Sequence, residues 1–394
     1  MSEGPLGVSA LWLVEWSLRQ RIPGYSAWAL ETESGQAAML ELLEDGALDE
    51  LAARAIISNS FQEYRGAVRQ PVDSRLPSEA MSTRDVVRDI VVSATCTSRV
   101  CYIEDVSLFP APQLREGEPA PTVENLQRMH IMCNAAERDP DFDDFEAIER
   151  MRDAAEAYQE DLLDRTSRQP SKATVFLSHS WACPWWNLVH SAVLHSLSRT
   201  GDDEVGFANN WTQDELLDRL RSAALRPTPQ PYYWIDIFSK NQHVVQSEAT
   251  MDELVRAVES SGEVMLAVHP WPAPLALSRV WCLFEILTAV QCGVKLCISP
   301  SFAVVEAMFD SRSNAGISEV MSAQTTPAEG ADATVATDKQ MILGRIERTC
   351  GFEAMNATVQ RAVQQGFEAT RLGILSSYGQ KSADGMARAV ELVR

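Results

Sequence analysis

The sequence predicts an α/β fold built on a parallel sheet, with a mostly helical region before it and a helical tail after it. Between residues 172 and 310, short and almost wholly apolar runs alternate with amphipathic helical patterns. Strands that are apolar on both faces are typical of parallel sheets covered by helices. Residues 1–168 and 338–394 show helical periodicity instead.

The amino-acid composition argues against several classes of protein. The 394 residues include 34 Lys and Arg against 55 Asp and Glu, a formal net charge of −21. A nucleic-acid binder needs a cationic surface to displace counterions, and docking on an anionic membrane needs one too. Hydrophobic residues make up 45% of the chain, too many for a disordered protein. No apolar run reaches the roughly 18 residues of a membrane span. We therefore expect a globular protein with no nucleic-acid partner and no membrane span.

The cysteines and histidines indicate the compartment and the metal content. The eight cysteines include no CxxC pair, and several of them lie in apolar runs, where free thiols behave as small hydrophobes. A reducing, cytoplasmic location is therefore predicted. No metal site is expected, because the spacing of His190 and His195 places two ligands poorly on a helix.

The predicted N-terminal region, residues 1–168, contains a Pro-rich connector at 110–121 and two helical patterns at 122–137 and 143–166. The second pattern is strongly acidic along one side. Such a side is either a solvated face or a surface for a basic protein partner. Residues 167–172 look like a linker to the next domain.

The predicted α/β domain spans residues 172–310. Its strands are 174–178, 232–238, 263–269 and 294–299, and helical patterns follow the first three. Residues 311–337 are small, polar and aperiodic, so we interpret them as a flexible insertion. The helices in 338–394 are expected to complete the domain in part.

Polar and aromatic residues follow the predicted strands at one edge of the sheet. In open parallel sheets, ligands bind beyond the carboxyl ends of the strands. The first strand ends in Ser178, His179, Ser180 and Trp181, the second in Asp236, and the third in His269 with Trp271 close behind. The sequence therefore predicts a ligand site at this edge.

The helix after the third strand carries an unusual carboxylate. Glu285 is the sole charge between Val280 and Val294, and a lone carboxylate is costly to bury unless it is hydrogen-bonded or functional. Trp281 lies one turn earlier on the same helix face. Two interpretations remain open: Glu285 caps a loop amide or pairs with an Arg, or it performs chemistry.

The segments TVFLSHSW, YYWIDIFSKNQ, EVMLAVHPW and LSRVWCLFEI resemble a Toll/interleukin-1 receptor (TIR) domain. They are most similar to TIR-like modules of algae and other protists, which carry FLSHSW and WCLxEI signatures. The resemblance covers 172–310 and says nothing about 1–168. It implies a flavodoxin-like fold with strand order 2-1-3-4-5. Family members hydrolyse NAD, assemble signalling complexes, or do both.

The resemblance also implies roles for individual residues. The family's catalytic glutamate falls on Glu285, the nucleotide-pocket loop on 178–181, and a gating and self-association loop on 237–244. Trp181 or Trp271 would stack on nicotinamide. NAD would be a substrate, with no cofactor bound permanently. The full predicted binding set is Ser178, His179, Ser180, Trp181, Asp236, His269, Trp271 and Trp281.

Three hypotheses follow. The first is an NAD glycohydrolase acting in signalling or defence, working as a homo-oligomer, with a helical N-terminal region for regulation or oligomerisation. The second is a non-catalytic TIR-like interaction module. The third is a structural subunit of a larger complex, whose acidic helices contact a basic protein. The absence of a P-loop or GxGxxG motif argues against a kinase or a dehydrogenase.

Overall fold

The computed structural model describes residues 4–20, 82–95, 101–104, 121–138, 144–200, 213–243, 247–269, 273–300 and 326–379. They form an α/β structure around a six-stranded mixed sheet. The strands are β1 (Leu6–Ser9), β2 (Ser171–Lys172), β3 (Val175–Ser178), β4 (Tyr232–Trp234), β5 (Glu263–Val268) and β6 (Lys295–Pro300). Their order across the sheet is β2-β1-β4-β3-β5-β6.

Helices cover both faces of this sheet. They are α1 (Ala10–Arg19), α2 (Thr83–Val86, continued by a π turn Val87–Val91 and by Val92–Ala94), α3 (Val123–Arg138), α4 (Phe145–Arg165), α5 (Trp185–Arg199), α6 (Gln213–Ala224), α7 (Asp236–Ser239), α8 (Glu248–Ser261), α9 (Val280–Gln291), α10 (Ala336–Thr349) and α11 (Phe352–Gly379). Helices α1, α2, α5 and α6 pack on one face, and α8 to α11 on the other. None of the helices in the described ranges combines the length and apolarity that crossing a membrane requires.

Four adjacent strands confirm the predicted parallel arrangement. Strands β4, β3, β5 and β6 are parallel to one another in that order, which corresponds to 2-1-3-4 in the numbering of the predicted strands. Successive side chains point into opposite layers. Val175 and Leu177 pack with α1 and α5, while Phe176 packs with α8 and α9 and stacks on Trp234 at 4.6 Å between ring centroids.

The second strand is shorter than predicted. The sequence indicates a strand over 232–238, but β4 ends at Trp234 and Asp236 begins the one-turn helix α7. The reason is packing, because Phe238 is wholly buried among aromatic rings on one side of the sheet. An extended chain would turn alternate side chains to opposite faces.

The first residues of the chain belong to the sheet rather than to a separate helical region. Strand β1 pairs antiparallel with β4 and with β2. Gly7 makes this close approach possible, because a Cβ there would lie 2.8 Å from the Tyr233 carbonyl carbon. Helix α1 follows directly, capped by the Ser9 hydroxyl, which accepts from the Trp12 amide at 3.0 Å. The boundary predicted near residue 168 therefore separates residues that share one sheet and one core.

An aromatic cluster joins the start of the chain to the end of β4. Phe238 lies at its centre, with ring centroids 5.2 Å from Trp12, 4.9 Å from Trp16, 5.5 Å from Tyr102 and 5.9 Å from Trp185. The indole of Trp16 also donates to the Tyr102 hydroxyl at 2.9 Å. Helices α1, α5 and α7 are held together by this cluster.

The remaining predicted segments are described in part. Helices α3 and α4 correspond to the predicted helices at 122–137 and 143–166. Of the insertion predicted at 311–337, residues 311–325 lie outside the described residues. The rest begins with a turn in which Ala328 and Ala331 are buried in the core on the α8–α11 face of the sheet. The amide of Asp332 donates to the Ser278 carbonyl at 2.8 Å, so this part packs on the core.

Replacing Trp16 with alanine should show that α1 is part of the core. We expect Trp16→Ala to lower the free energy of unfolding by about 3–5 kcal/mol, because the substitution leaves a cavity in the aromatic cluster. Urea denaturation measures this change. Phe145→Ala is the control, since that ring is 77% exposed and its loss should cost about 0.5 kcal/mol or less. Equal stabilities of the two variants would contradict the placement of α1.

Candidate active site

The centre of the site is a buried carboxyl group held by a serine. Ser178 is the last residue of β3, and Glu285 lies in the middle of α9. The Ser178 hydroxyl donates to Glu285 Oε2 at 2.5 Å, and the two residues are 1% and 8% exposed. The sequence left open whether Glu285 caps a loop amide or pairs with an Arg. In the described part of the chain its partner is instead a side chain at the predicted carboxyl edge of the sheet.

The surroundings of Glu285 favour its protonated form. Burial raises the pKa of Glu285 to about 8. The hydrogen bond from Ser178 lowers it, the charge of Asp236 raises it, and the charge of Lys240 lowers it. A carboxyl group that titrates within the physiological range is typical of functional sites.

Lys240 and Trp281 lie beside this carboxyl group. Trp281 precedes Glu285 by one helical turn, and the Lys240 ammonium lies 5.1 Å from the centroid of its ring, a cation–π contact. The Trp281 indole N–H reaches Asp338 Oδ2 at 3.4 Å. Burial lowers the pKa of Lys240, while Asp236 and Glu285 raise it. Sequence reasoning named the 237–244 loop but missed Lys240, the sole lysine or arginine in that loop.

Asp236 links the segments that follow β3 and β4. Its Oδ2 accepts from the Trp181 indole N–H at 2.7 Å. Its Oδ1 lies 3.6 Å from His179 Nε2, and both of these atoms are buried without a hydrogen-bond partner among the described residues. Buried polar atoms without a partner are rare in folded proteins. A ligand hydroxyl that reached both atoms from one side could donate to the carboxylate.

The other predicted residues lie around this centre. Ser180 is buried and shapes the turn after β3, where its hydroxyl accepts from the Ala182 amide at 3.3 Å. His269 Nε2 lies 3.1 Å from Asn187 Nδ2 on α5, and burial lowers the pKa of His269 to about 4. Trp271 lies outside the described residues. The structure thus joins Ser178, His179, Trp181, Asp236, Trp281 and Glu285, whereas His269 forms its described side-chain contact with Asn187.

An open cleft of about 710 Å³ adjoins the end of α7. It is lined by Ser239, Lys240 and Asn241, by Trp234 of β4 and by residues of α8, β1 and the 101–104 turn. Glu285 does not line it. Lys240 therefore faces the cleft on one side and interacts electrostatically with the buried carboxyl group on the other.

No protein-family model, curated protein or solved structure matches this chain. The chemistry of the site therefore rests on the contacts among its own residues. These are a buried carboxyl group held by a serine hydroxyl, a lysine over an indole ring, and an aspartate with one unpaired oxygen.

The Glu285→Gln variant should be stabilised at high pH. A folded-state pKa above that of the unfolded chain means that folding favours the protonated group, so stability falls as the pH rises from about 4.5 through about 8. Glutamine keeps an acceptor for Ser178 but does not ionise. We expect the free energy of unfolding of the variant to exceed that of the native chain by a few kcal/mol at most at pH 9. Near pH 5 the two values should match. Urea denaturation across this range provides the measurement.

The control is Glu347→Gln on the exposed face of α10. A difference independent of pH would contradict the assigned environment.

Proposed function

We propose that this protein is a TIR-like NAD glycohydrolase with a flavodoxin-like sheet, acting in signalling or defence. The observation that carries the proposal is the buried Glu285, held by Ser178 and adjoined by Trp281 and Lys240. The order of the four parallel strands supports the proposed fold, because it agrees with the first four positions of the 2-1-3-4-5 arrangement.

The proposed reaction converts NAD⁺ and water into ADP-ribose, nicotinamide and a proton. The bond between the ribose C1′ and the pyridinium nitrogen breaks, and its electron pair leaves with nicotinamide, which becomes neutral. No general acid is needed for this leaving group. Positive charge develops on the ribose as an oxocarbenium-like centre, and the water oxygen then bonds to C1′. A carboxylate positioned against the ribose stabilises this charge.

Glu285 would supply the carboxylate. A cationic substrate nearby favours ionisation of a buried carboxyl group, so binding of the pyridinium would itself promote the active form. The Ser178 hydroxyl fixes the orientation of the carboxylate through the change. Asp236 Oδ1 and His179 Nε2 are the unpaired atoms best placed to receive a substrate hydroxyl.

The Lys240 ammonium would occupy the position that the positive charge of the substrate takes on binding. The ammonium lies over the face of Trp281, and the pyridinium ring of NAD⁺ is also a cation that can stack on an indole. In this proposal the nicotinamide ring displaces Lys240 from Trp281, so one cation–π contact replaces another. Trp181 is a second stacking surface beside Asp236.

A second candidate function is a non-catalytic assembly module with the same fold. The observation that favours it is the low exposure of Glu285, which does not line the neighbouring cleft. Self-association through the 237–244 loop belongs to both candidates, and we propose a homo-oligomer. The acidic face of α4 would suit a basic protein partner in either case.

Nicotinamide release from NAD tests the choice between the two candidates. We expect the native chain to release nicotinamide, and Glu285→Gln to reduce the rate by about 100-fold or more, because a single preorganised electrostatic contact is typically worth that much. Chromatography of the products, at protein concentrations spanning a hundredfold range, provides the measurement. The control Glu347→Gln should match the native rate. Absence of release at every concentration would reject the hydrolase in favour of the assembly module.

The pH dependence of the reaction should follow the environment of Glu285. We expect kcat/KM to rise with pH through about 8 as Glu285 ionises in the free protein. Ser178→Ala should move the midpoint to higher pH, because it removes a hydrogen bond to the charged form. Asp236→Asn should move the midpoint to lower pH, because it removes a neighbouring negative charge. Shifts in the same direction would show that another group controls the profile.

A further inference from the structure

A second cluster of buried polar side chains lies at the amino ends of β5 and β6. His195 projects from α5, Glu263 is the first residue of β5, and Cys297 lies in β6. One nitrogen, one carboxylate oxygen and the sulfur lie within 4.8 Å of one another. The side chains of His195 and Glu263 are 4% and 6% exposed. Gly262, with φ of 73°, turns the chain from α8 into β5 and so fixes Glu263 at this position.

The hydrogen bonds around His195 determine which ring nitrogen is left over. The Tyr233 hydroxyl donates to the Ala192 carbonyl at 2.9 Å, and that carbonyl can only accept. The Tyr233 oxygen, 3.0 Å from His195 Nδ1, must therefore accept from an Nδ1–H. In the neutral ring the lone pair is then on Nε2, which is buried and has no hydrogen-bond partner among the described residues.

This lone pair faces a carboxylate. His195 Nε2 lies 3.4 Å from Glu263 Oε2, so two electron-rich atoms lie next to each other unless a metal ion or a proton on Nε2 lies between them. Two ligands of one tetrahedral zinc ion, each bonded at about 2.0–2.1 Å, are separated by about 3.4 Å. The third donor, Cys297, supplies the sulfur that zinc prefers.

We propose that His195, Glu263 and Cys297 bind one Zn²⁺ ion through Nε2, a carboxylate oxygen and the thiolate. Water would complete a tetrahedral set. The Tyr233 hydroxyl would act as the outer partner that fixes the orientation and tautomer of the histidine, as is usual at zinc sites. The cluster connects α5 with β5 and β6, so the ion would cross-link three elements of the core.

Two cations balance the charge of Glu263 in the structure described here. The Lys295 ammonium lies 2.8 Å from Oε1, and the Arg199 guanidinium lies 3.2 Å from Oε2. Their side chains are 65% and 53% exposed. Zinc can therefore take over the charge balance, because both side chains are exposed enough to turn toward solvent.

The sequence did not indicate this cluster. The spacing of His195 and His190 along the chain argues against a zinc site formed by that pair. The three proposed ligands instead lie on a helix and two strands that meet only in the folded chain.

Titration of the chelator-treated full-length protein with Zn²⁺, followed by calorimetry, tests the proposal. We expect one ion per chain, and a rise in melting temperature on addition of zinc. Cys297→Ser should weaken binding by about 100-fold or more, since even the loss of an outer partner costs about 10–100-fold. Co²⁺ gives an independent spectroscopic readout, because a thiolate ligand produces an intense near-ultraviolet charge-transfer band that Cys297→Ser should abolish.

Cys292→Ser is the matched control. That cysteine lies on the same part of the chain but is exposed and outside the cluster, so its loss should leave zinc binding and the cobalt band unchanged. Equal losses in the two variants would show adventitious thiol binding and overturn the proposal. Failure of the native chain to bind stoichiometric zinc would overturn it too, and would assign a proton to the space between His195 and Glu263.

Discussion

Burial of one phenylalanine determines the geometry of the candidate site. Helix α7 is a single turn, far too short to be stable on its own, and it is fixed because Phe238 packs against Trp12, Trp16 and Trp185. Asp236 and Lys240 lie two residues to either side of Phe238. These are the two charged side chains that act on Glu285. The first helix of the chain therefore positions charges at the carboxyl end of the sheet without contacting Glu285 itself.

Prediction from sequence succeeded where burial leaves a continuous apolar run. Strands β3, β5 and β6 and their parallel alignment were expected, because both of their faces are covered. The predicted end of β4 was wrong, since residues 235–238 carry three apolar side chains typical of a strand but form a helical turn that buries Phe238 in the aromatic cluster. Strand β1 was missed because four residues carry too little pattern and its partners lie far along the chain.

The same limit applies to the candidate site. The position of Ser178, Asp236 and His269 at strand ends was readable from the sequence, and so was the isolation of Glu285 within an apolar helix. The hydrogen bond between Ser178 and Glu285 was not, because it depends on how α9 packs beside β3. Lys240 gave only a weak signal, as a single cation in a polar loop. Local spacing detects pairs of residues on one element and fails for contacts that the sheet assembles.

The long sequence separation between β1 and its partner β4 has a consequence during synthesis. When helix α1 leaves the ribosome, Leu11, Trp12 and Trp16 are exposed to solvent. Its core partners in α5, β4 and α7 follow more than 150 residues later. At about 5–20 residues per second, the nascent chain displays this apolar segment for roughly 10–40 s before Phe238 is made. Cellular yield should therefore depend on chaperones that bind the emerging α1 segment, and slower translation would lengthen that exposure.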